Sequence, residues 1–210
     1  MTTRPNSPAS ERNKRPILDV LREEFRDRRQ VLEIGSGTGQ HAVYFAAEMP
    51  HLTWQTSDLR ENHDGIRARL QHAGLENVRP PLELDVNQYD AISVIADAVF
   101  SANTAHIMDI HAVESMFELV GHVLPDGGVF CLYGPFNFEG HFSSESNATF
   151  DASLRQRDSS MGIRDLGALD RFAANAGMSR FRLYAMPANN HIAIWKKSTR
   201  PTWGRTTRTY

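Results

Sequence analysis

The chain has a single cysteine, Cys131, so no internal disulfide can brace it; that residue sits in the apolar run "GGVFCLY", where a buried structural thiol is expected. No apolar segment approaches the ~20 residues that a membrane-spanning helix needs. The opening "MTTRPNSPASERNKRP" lacks the apolar region of a secretory signal, and the expected location is the cytoplasm. Charge of neither sign dominates: a formal net charge of -2 gives no protein-wide attraction to phosphate backbones or anionic lipid. Nucleic acid and membrane are therefore disfavoured as partners, and a small-molecule substrate is the default. The nine histidines are scattered beside one cysteine, without metal-ligand spacing, so no metal is expected. No internal repeat is visible, and oligomeric state is not fixed by any of these features.

What is present suits one domain. The 210 residues, 40% hydrophobic and 23% charged, suffice for one α/β core and are too few for two ordinary domains and a linker. After a polar start, "SERNKRPILDVLREEF" carries Ile17, Leu18, Leu21 and Phe25 on one helical stripe, which predicts an amphipathic leading helix and makes residues 1–27 an N-terminal helix and lid. "QVLEI" then reads as a short buried strand and "HAVYFAAEM" as a helix. "LTWQTSDL" is a second strand, "ENHDGIRARLQHAG" a helix closed by Gly74, and "PLELDV" a third strand. "DAVFSAN", "HAVESMFELVGHVL" and "GGVFCLYGPF" continue as strand, helix, strand. This alternation predicts a doubly wound, Rossmann-like α/β sheet covered on both faces. "FRLYAMP" and "HIAIWKK", joined by "ANN", read as a hairpin that adds an antiparallel C-terminal strand and completes seven strands in a mixed sheet. The domain body is thus placed at 28–197. Within it, residues 137–164 form a polar insertion too long for a plain connection and are expected to cover a site. The basic end, 198–210, is expected to be a solvated tail.

Chemistry gathers at "VLEIGSGTGQHAVYF". In a doubly wound sheet the first strand-to-helix turn lies at the crevice where ligands bind, and glycines there let backbone amides approach closely. Gly35, Gly37 and Gly39 are followed by Gln40, where a dinucleotide fingerprint would carry its last glycine, and Glu33 would repel a nearby pyrophosphate. Both departures weigh against a nicotinamide oxidoreductase. An acid there tolerates a ligand with an ammonium group, such as S-adenosylmethionine (SAM). Asp58, ending the second strand 23 residues beyond Gly35, either accepts from ribose hydroxyls or caps the next helix. Asp85, ending the third, either takes an adenine amino group or caps.

"VLEIGSGTG" with Asp58 and Asp85 resembles the motif set of class I SAM-dependent methyltransferases over roughly residues 28–135. More narrowly, "SPASERNKRPILDVL", "GTGQHAVYFA", "YGPFN", "FDASLRQRD", "GIRDL" and "MPANN" resemble the methyltransferase-like 26 family, a domain of unknown function (938), over nearly the whole chain. The resemblance implies SAM as cofactor, with Glu33, Gly35, Ser36, Gly37, Gly39, Asp58, Leu59, Asp85, Val86 and Asn103 around it and Asn13 and Lys14 reaching it from the lid. It supplies no settled substrate.

Methyl transfer is a displacement at carbon that needs alignment and, for some acceptors, a base. His106, in "SANTAHIMDIH" at the end of the fourth strand, is a candidate base or a satisfied structural histidine; Tyr133 either lines the pocket or packs. His111, His141, Arg155, Arg157, Arg164, Asn189 and Asn190 are candidates for holding substrate, with a solvated face or turn as the alternative for most of them. The expected function is SAM-dependent methylation of a small molecule. The alternative is a non-catalytic SAM-binding or protein-interaction module.

Overall fold

The computed structural model describes residues 5–88 and 94–198, and the leading helix follows its sequence stripe. Helix α1 (Pro8–Glu24) starts at Ser7, whose side chain accepts from the amide of Ser10, and its proline at the first turn sits where no amide is needed. It buries Ile17, Leu18, Leu21 and the adjoining Phe25. Strand β1 (Gln30–Ile34), α2 (Gln40–Glu48), β2 (Thr53–Asp58), a 3₁₀ turn (Arg60–Asn62), α3 (His63–Ala73) and β3 (Val78–Glu83) alternate as expected. Gly74 closes α3 in the left-handed conformation, φ 62°. Strand β4 (Ala98–Ala102), α4 (Ile110–Val123) and β5 (Val129–Gly134) complete the alternating part.

The third strand lies earlier than "PLELDV". Pairing with β2 runs Trp54 to Val78 and Asp58 to Glu83, which leaves Asp85 in the turn beyond the strand. Pro80 and Pro81 are tolerated because β3 is an edge, where a missing amide costs no ladder bond. The insertion is not a bare loop. It folds into β6 (Phe136–Phe138), β7 (His141–Phe142), α5 (Glu145–Arg157) and β8 (Arg164–Asp165), with a small sheet in the order β7-β6-β8. Helix α6 (Leu166–Asn175), to which no element was assigned from the sequence, buries Leu166, Leu169 and Ala173 on one stripe. The chain continues with β9 (Met178–Met186) and β10 (Asn190–Lys197).

The main sheet has seven strands in the order β3-β2-β1-β4-β5-β10-β9. The first five are parallel, and β10 is antiparallel to both β5 and β9. Two apolar layers cover it. One packs α1 and α2 with Phe45, Trp54 and Phe100; the other packs α4 and α6 with Phe117, Phe130 and Trp195. The order reverses between β1 and β4, so the loops after those two strands diverge and leave a crevice at the carboxyl edge. The tail from residue 199 lies outside the described residues. Among the described residues no helix is long and apolar enough to cross a membrane.

Candidate active site

A cavity of about 700 Å³ opens at that edge. Its floor is the glycine loop. Gly35, Gly37 and Gly39 have φ of 71°, 55° and 70°, a region that side chains resist. A Cβ on Gly35 would also stand 2.6 Å from Cγ2 of Thr104, so the position is closed to larger residues twice over. Gly39 serves differently, turning the chain into α2 and packing on Ile66, away from the cavity wall.

Asp58 ties the loop down. Its Oδ2 accepts from the Gly37 amide at 2.6 Å, and its Oδ1 accepts from the Leu59 amide at 2.8 Å and Asn62 Nδ2 at 2.7 Å. A carboxylate offers about four acceptor sites. About one is therefore left for a ligand, and this residue lines the cavity. Asp85, Val86 and the exposed Leu59 continue the wall, and Asp85 also caps its own turn by accepting from the Asn87 amide at 2.9 Å. Ser36 and Asn103 line the cavity too, Asn103 in a left-handed conformation with φ 60°.

Glu33 does not reach the cavity surface. It is buried beneath the loop, where its Oε2 accepts from Ser36 Oγ at 2.8 Å and from Trp54 Nε1 at 3.1 Å. Burial pushes its carboxyl up to about 7, with the nearby Asp58 charge acting in the same direction. Asn13 and Lys14 are likewise off the cavity wall. Asn13 Oδ1 lies 2.7 Å from His41 Nε2, and Lys14 pairs with Glu11 and stands 5.0 Å above the Tyr44 ring. Ser7, Ala9 and Ser10 line the cavity instead. The start of α1 is held there by Gln40, whose Oε1 accepts from the Ser7 amide and whose Nε2 donates to Glu11 Oε1, both at 2.5 Å.

Beyond β4, His106 lines the cavity while only 7% exposed, and among the described residues its ring nitrogens have no hydrogen-bond partner. Burial, reinforced by the Arg164 and Arg157 charges, lowers its pKa to about 4, so the imidazole is neutral at pH 7. Tyr133 packs in the α1-side core instead, its hydroxyl raised by burial and hydrogen-bonded to Asn13. None of the seven candidates for substrate contact lines the cavity. Arg155 pairs with Asp151 at 2.7 Å, and Arg157 is exposed at the end of α5. Arg164 is buried; its guanidinium donates to the carbonyls of Ala105 at 2.9 Å, Ser160 at 2.8 Å and Met108. His111 and His141 are exposed on α4 and β7. Asn189 ends the β9–β10 turn and Asn190 begins β10 opposite Met186; Asn189 has φ 56° and its carbonyl anchors Asn147 of α5 at 3.1 Å.

Several cavity residues escaped the sequence reading: His41, Asn62, Thr104, Ile107 and Phe150. His41 directly follows Gln40 and carried a signal, since the first helical turn after a ligand loop faces the ligand. Phe150 is a lone ring in the polar stretch "SESNATFDAS", which was a signal as well. Among the described residues, no group of three or more His, Cys, Asp or Glu side chains gathers as a metal site.

A doubly wound sheet with this strand order, an antiparallel insertion beside β5 and a glycine loop tied to the acid of β2 is the class I methyltransferase fold. The chain belongs to the family described as "Protein of unknown function (DUF938)", whose model matches residues 4–197. Solved structures repeat the fold. An O-methyltransferase family protein from Burkholderia thailandensis superposes with a TM-score of 0.78 at 18% identity, over 92% of this chain and 58% of that one. Human N-acetylserotonin methyltransferase in complex with SAM gives 0.75 at 17%, over 91% and 53%. PigF with SAH gives 0.76 at 18%, over 89% and 56%. The chain thus spans a little over half the length of these proteins, and at such identity the likeness establishes the fold.

Proposed function

We propose that this protein binds SAM in the cavity and transfers its methyl group to a small-molecule acceptor, in keeping with the resemblance to methyltransferase-like 26. The observation that carries this reading is one cavity with two chemically distinct ends. At one end the backbone of Gly35–Gly37, the open acceptor capacity of Asp58, and Asp85 suit an amino-acid and nucleoside ligand. At the other, His106 presents an imidazole that nothing in the described protein satisfies. Its ring nitrogens are open to the cavity, where a ligand hydroxyl can reach them.

SAM, when bound, supplies an electrophilic methyl group on a sulfonium. The protein's own part is positioning. The glycine turn, which keeps side chains off the cavity floor, and Asp58 hold the ligand, Leu59 and Val86 flank it, and Glu33 acts from beneath the loop as a buried charge relayed through Ser36 Oγ. His106 receives the acceptor's proton. The SAM or SAH complexes of structurally similar proteins support the cofactor assignment. A cytoplasmic small-molecule enzyme remains the reading of the sequence. Isothermal titration with SAM, S-adenosylhomocysteine (SAH) and NAD tests the binding claim, and SAM-dependent methylation of a metabolite pool tests catalysis. Binding of NAD in preference to SAH refutes the first, and SAH binding with no product from any pool favours a non-catalytic module.

A further inference from the structure

The acceptor end of the cavity carries more information than His106 alone. Phe150, on α5, lines it while 38% exposed, and its ring meets the His106 ring edge-on at 5.3 Å and 72°. Ile107 adds an apolar surface that is 46% exposed at the rim. Leaving a phenylalanine and an isoleucine in water at the mouth of a cavity forfeits burial energy that a ligand with an apolar face recovers. Gly134, off the cavity wall, lies against the His106 ring: a Cβ there would stand 3.7 Å from His106 Nδ1.

Charge narrows the class further. Among the described residues no lysine or arginine lines the cavity, and its acids, Asp58 at the end of β2, Glu61 and Asp85 beyond β2 and β3, lie at the far side of β1 from His106. Two of the three arginines of the insertion are spent elsewhere, and the third, Arg157, is exposed at the end of α5 and off the cavity wall. Arg155 neutralises the buried Asp151, and Arg164 holds the carbonyls on either side of His106. A carboxylate or phosphate at this end would find no cation on the cavity wall to pair with, and desolvating it unpaired is costly.

Resting on the methyl-transfer reading, we infer that the acceptor is an uncharged aromatic alcohol, with its ring against Phe150 and its hydroxyl at the His106 imidazole. In the transfer the acceptor oxygen forms a bond to the methyl carbon as the carbon–sulfur bond breaks and leaves a neutral thioether. The hydroxyl proton passes to His106 and then to water. A weakly basic imidazole suffices because the oxygen becomes strongly acidic as its bond to carbon forms. Phe150 acts as a specificity residue: edge-to-face and stacked ring contacts favour a flat aromatic over an aliphatic alcohol of equal size.

The test uses 2-naphthol as a fluorescent probe on the full chain saturated with SAH, beside 2-naphthoate and cyclohexanol. The expected result is saturable binding of 2-naphthol, with 2-naphthoate and cyclohexanol at least about tenfold weaker. Phe150→Ala should weaken 2-naphthol about tenfold or more, and Phe150→Tyr should restore most of it, with SAH affinity within about twofold in both variants as evidence of folding. Equal or tighter binding of 2-naphthoate, or of 2-naphthol to Phe150→Ala, overturns the inference. Absence of SAH binding together with Phe150-dependent 2-naphthol binding refutes the methyl-transfer reading while the ligand class stands.

Discussion

Glu33→Gln is the substitution whose outcome the structure constrains most tightly. Burial raises the Glu33 carboxyl from 4.5 to about 7, and a tenfold change in proton affinity corresponds to about 1.4 kcal/mol, so holding the ionised form inside the fold costs on the order of 3 kcal/mol. Between pH 4.5 and 7 the folded chain keeps a proton that the unfolded chain has released. Stability contributed by Glu33 is therefore complete below pH 4.5 and is lost as pH rises through 7. Glutamine mimics the protonated form. Both donors, Ser36 Oγ and Trp54 Nε1, address the same oxygen, so the amide carbonyl can accept from both. The variant should match wild type below pH 4.5, exceed it by about 1 kcal/mol at pH 5 and by up to about 3 kcal/mol above pH 7. Urea denaturation at half-unit steps from pH 5 to 8.5 measures this, and subtracting one protein from the other cancels every titration they share. A difference that does not change with pH would refute the claim that this carboxyl is perturbed. Binding supplies a second readout. If Glu33 serves the ammonium of SAM, the ligand draws it into its charged form, and proton release near pH 6.5 should appear as a dependence of binding heat on the buffer's ionisation enthalpy, absent in Glu33→Gln.

His41 and His106 act in the opposite sense. Both are depressed from 6.5 to about 4 by burial, so the unfolded chain binds more protons in that window and stability should fall on acidification from pH 6.5 towards 4, by up to about 3 kcal/mol per residue. Denaturation midpoints that hold level between pH 6.5 and 5 in Glu33→Gln would contradict this. Asp58→Ala removes the Gly37 tie as well as the open acceptor site, and SAH affinity should drop roughly ten- to a hundredfold by calorimetry; unchanged affinity takes Asp58 out of the site. Arg164→Met strips the donors from the carbonyls flanking His106, which should lower unfolding stability by about 2–3 kcal/mol and depress turnover more than SAH affinity, whereas equal losses in both would make Arg164 a general structural residue. Gln40→Ala frees the start of α1, so limited proteolysis within residues 5–14 should quicken; an unaltered digestion pattern would show that Gln40 does not hold the segment.

How much of the molecule is legible in its sequence depends on how local each feature is. Strand–helix alternation is written in periods of two and 3.6 residues, so six of the seven main strands and the first four helices could be read where they lie. The third strand slipped because its apolar pattern is interrupted by Pro80 and Pro81, and only pairing with β2 sets its register. Helix α5 was hidden for a different reason: it buries two polar residues, Asn147 and Asp151, beside Leu154, and so shows no apolar stripe. Those two residues are satisfied by partners far along the chain, the Asn189 carbonyl and the Ile163 amide.

The same distinction separates the two ends of the site. The glycine loop and the acids at the end of β2 and just beyond β3 announce themselves because a doubly wound sheet binds ligands at the carboxyl ends of its strands, where a nucleoside of the kind proposed would meet those residue types. The arginines of the insertion misled, since a guanidinium that clamps carbonyls and one that grips a substrate are the same letters in a sequence. Arg164 is decided by the depth at which it sits, and depth is a property of the whole fold. Gln40 shows how a departure from a motif can be informative in the opposite direction. A glycine there would permit close approach to a pyrophosphate, whereas the glutamine reaches 33 residues back to Ser7 and brings the leading helix onto the loop. The residue that argues against a dinucleotide is thus also the one that builds this cavity's wall from α1, so the lost close approach and the gained enclosure are a single side chain's work.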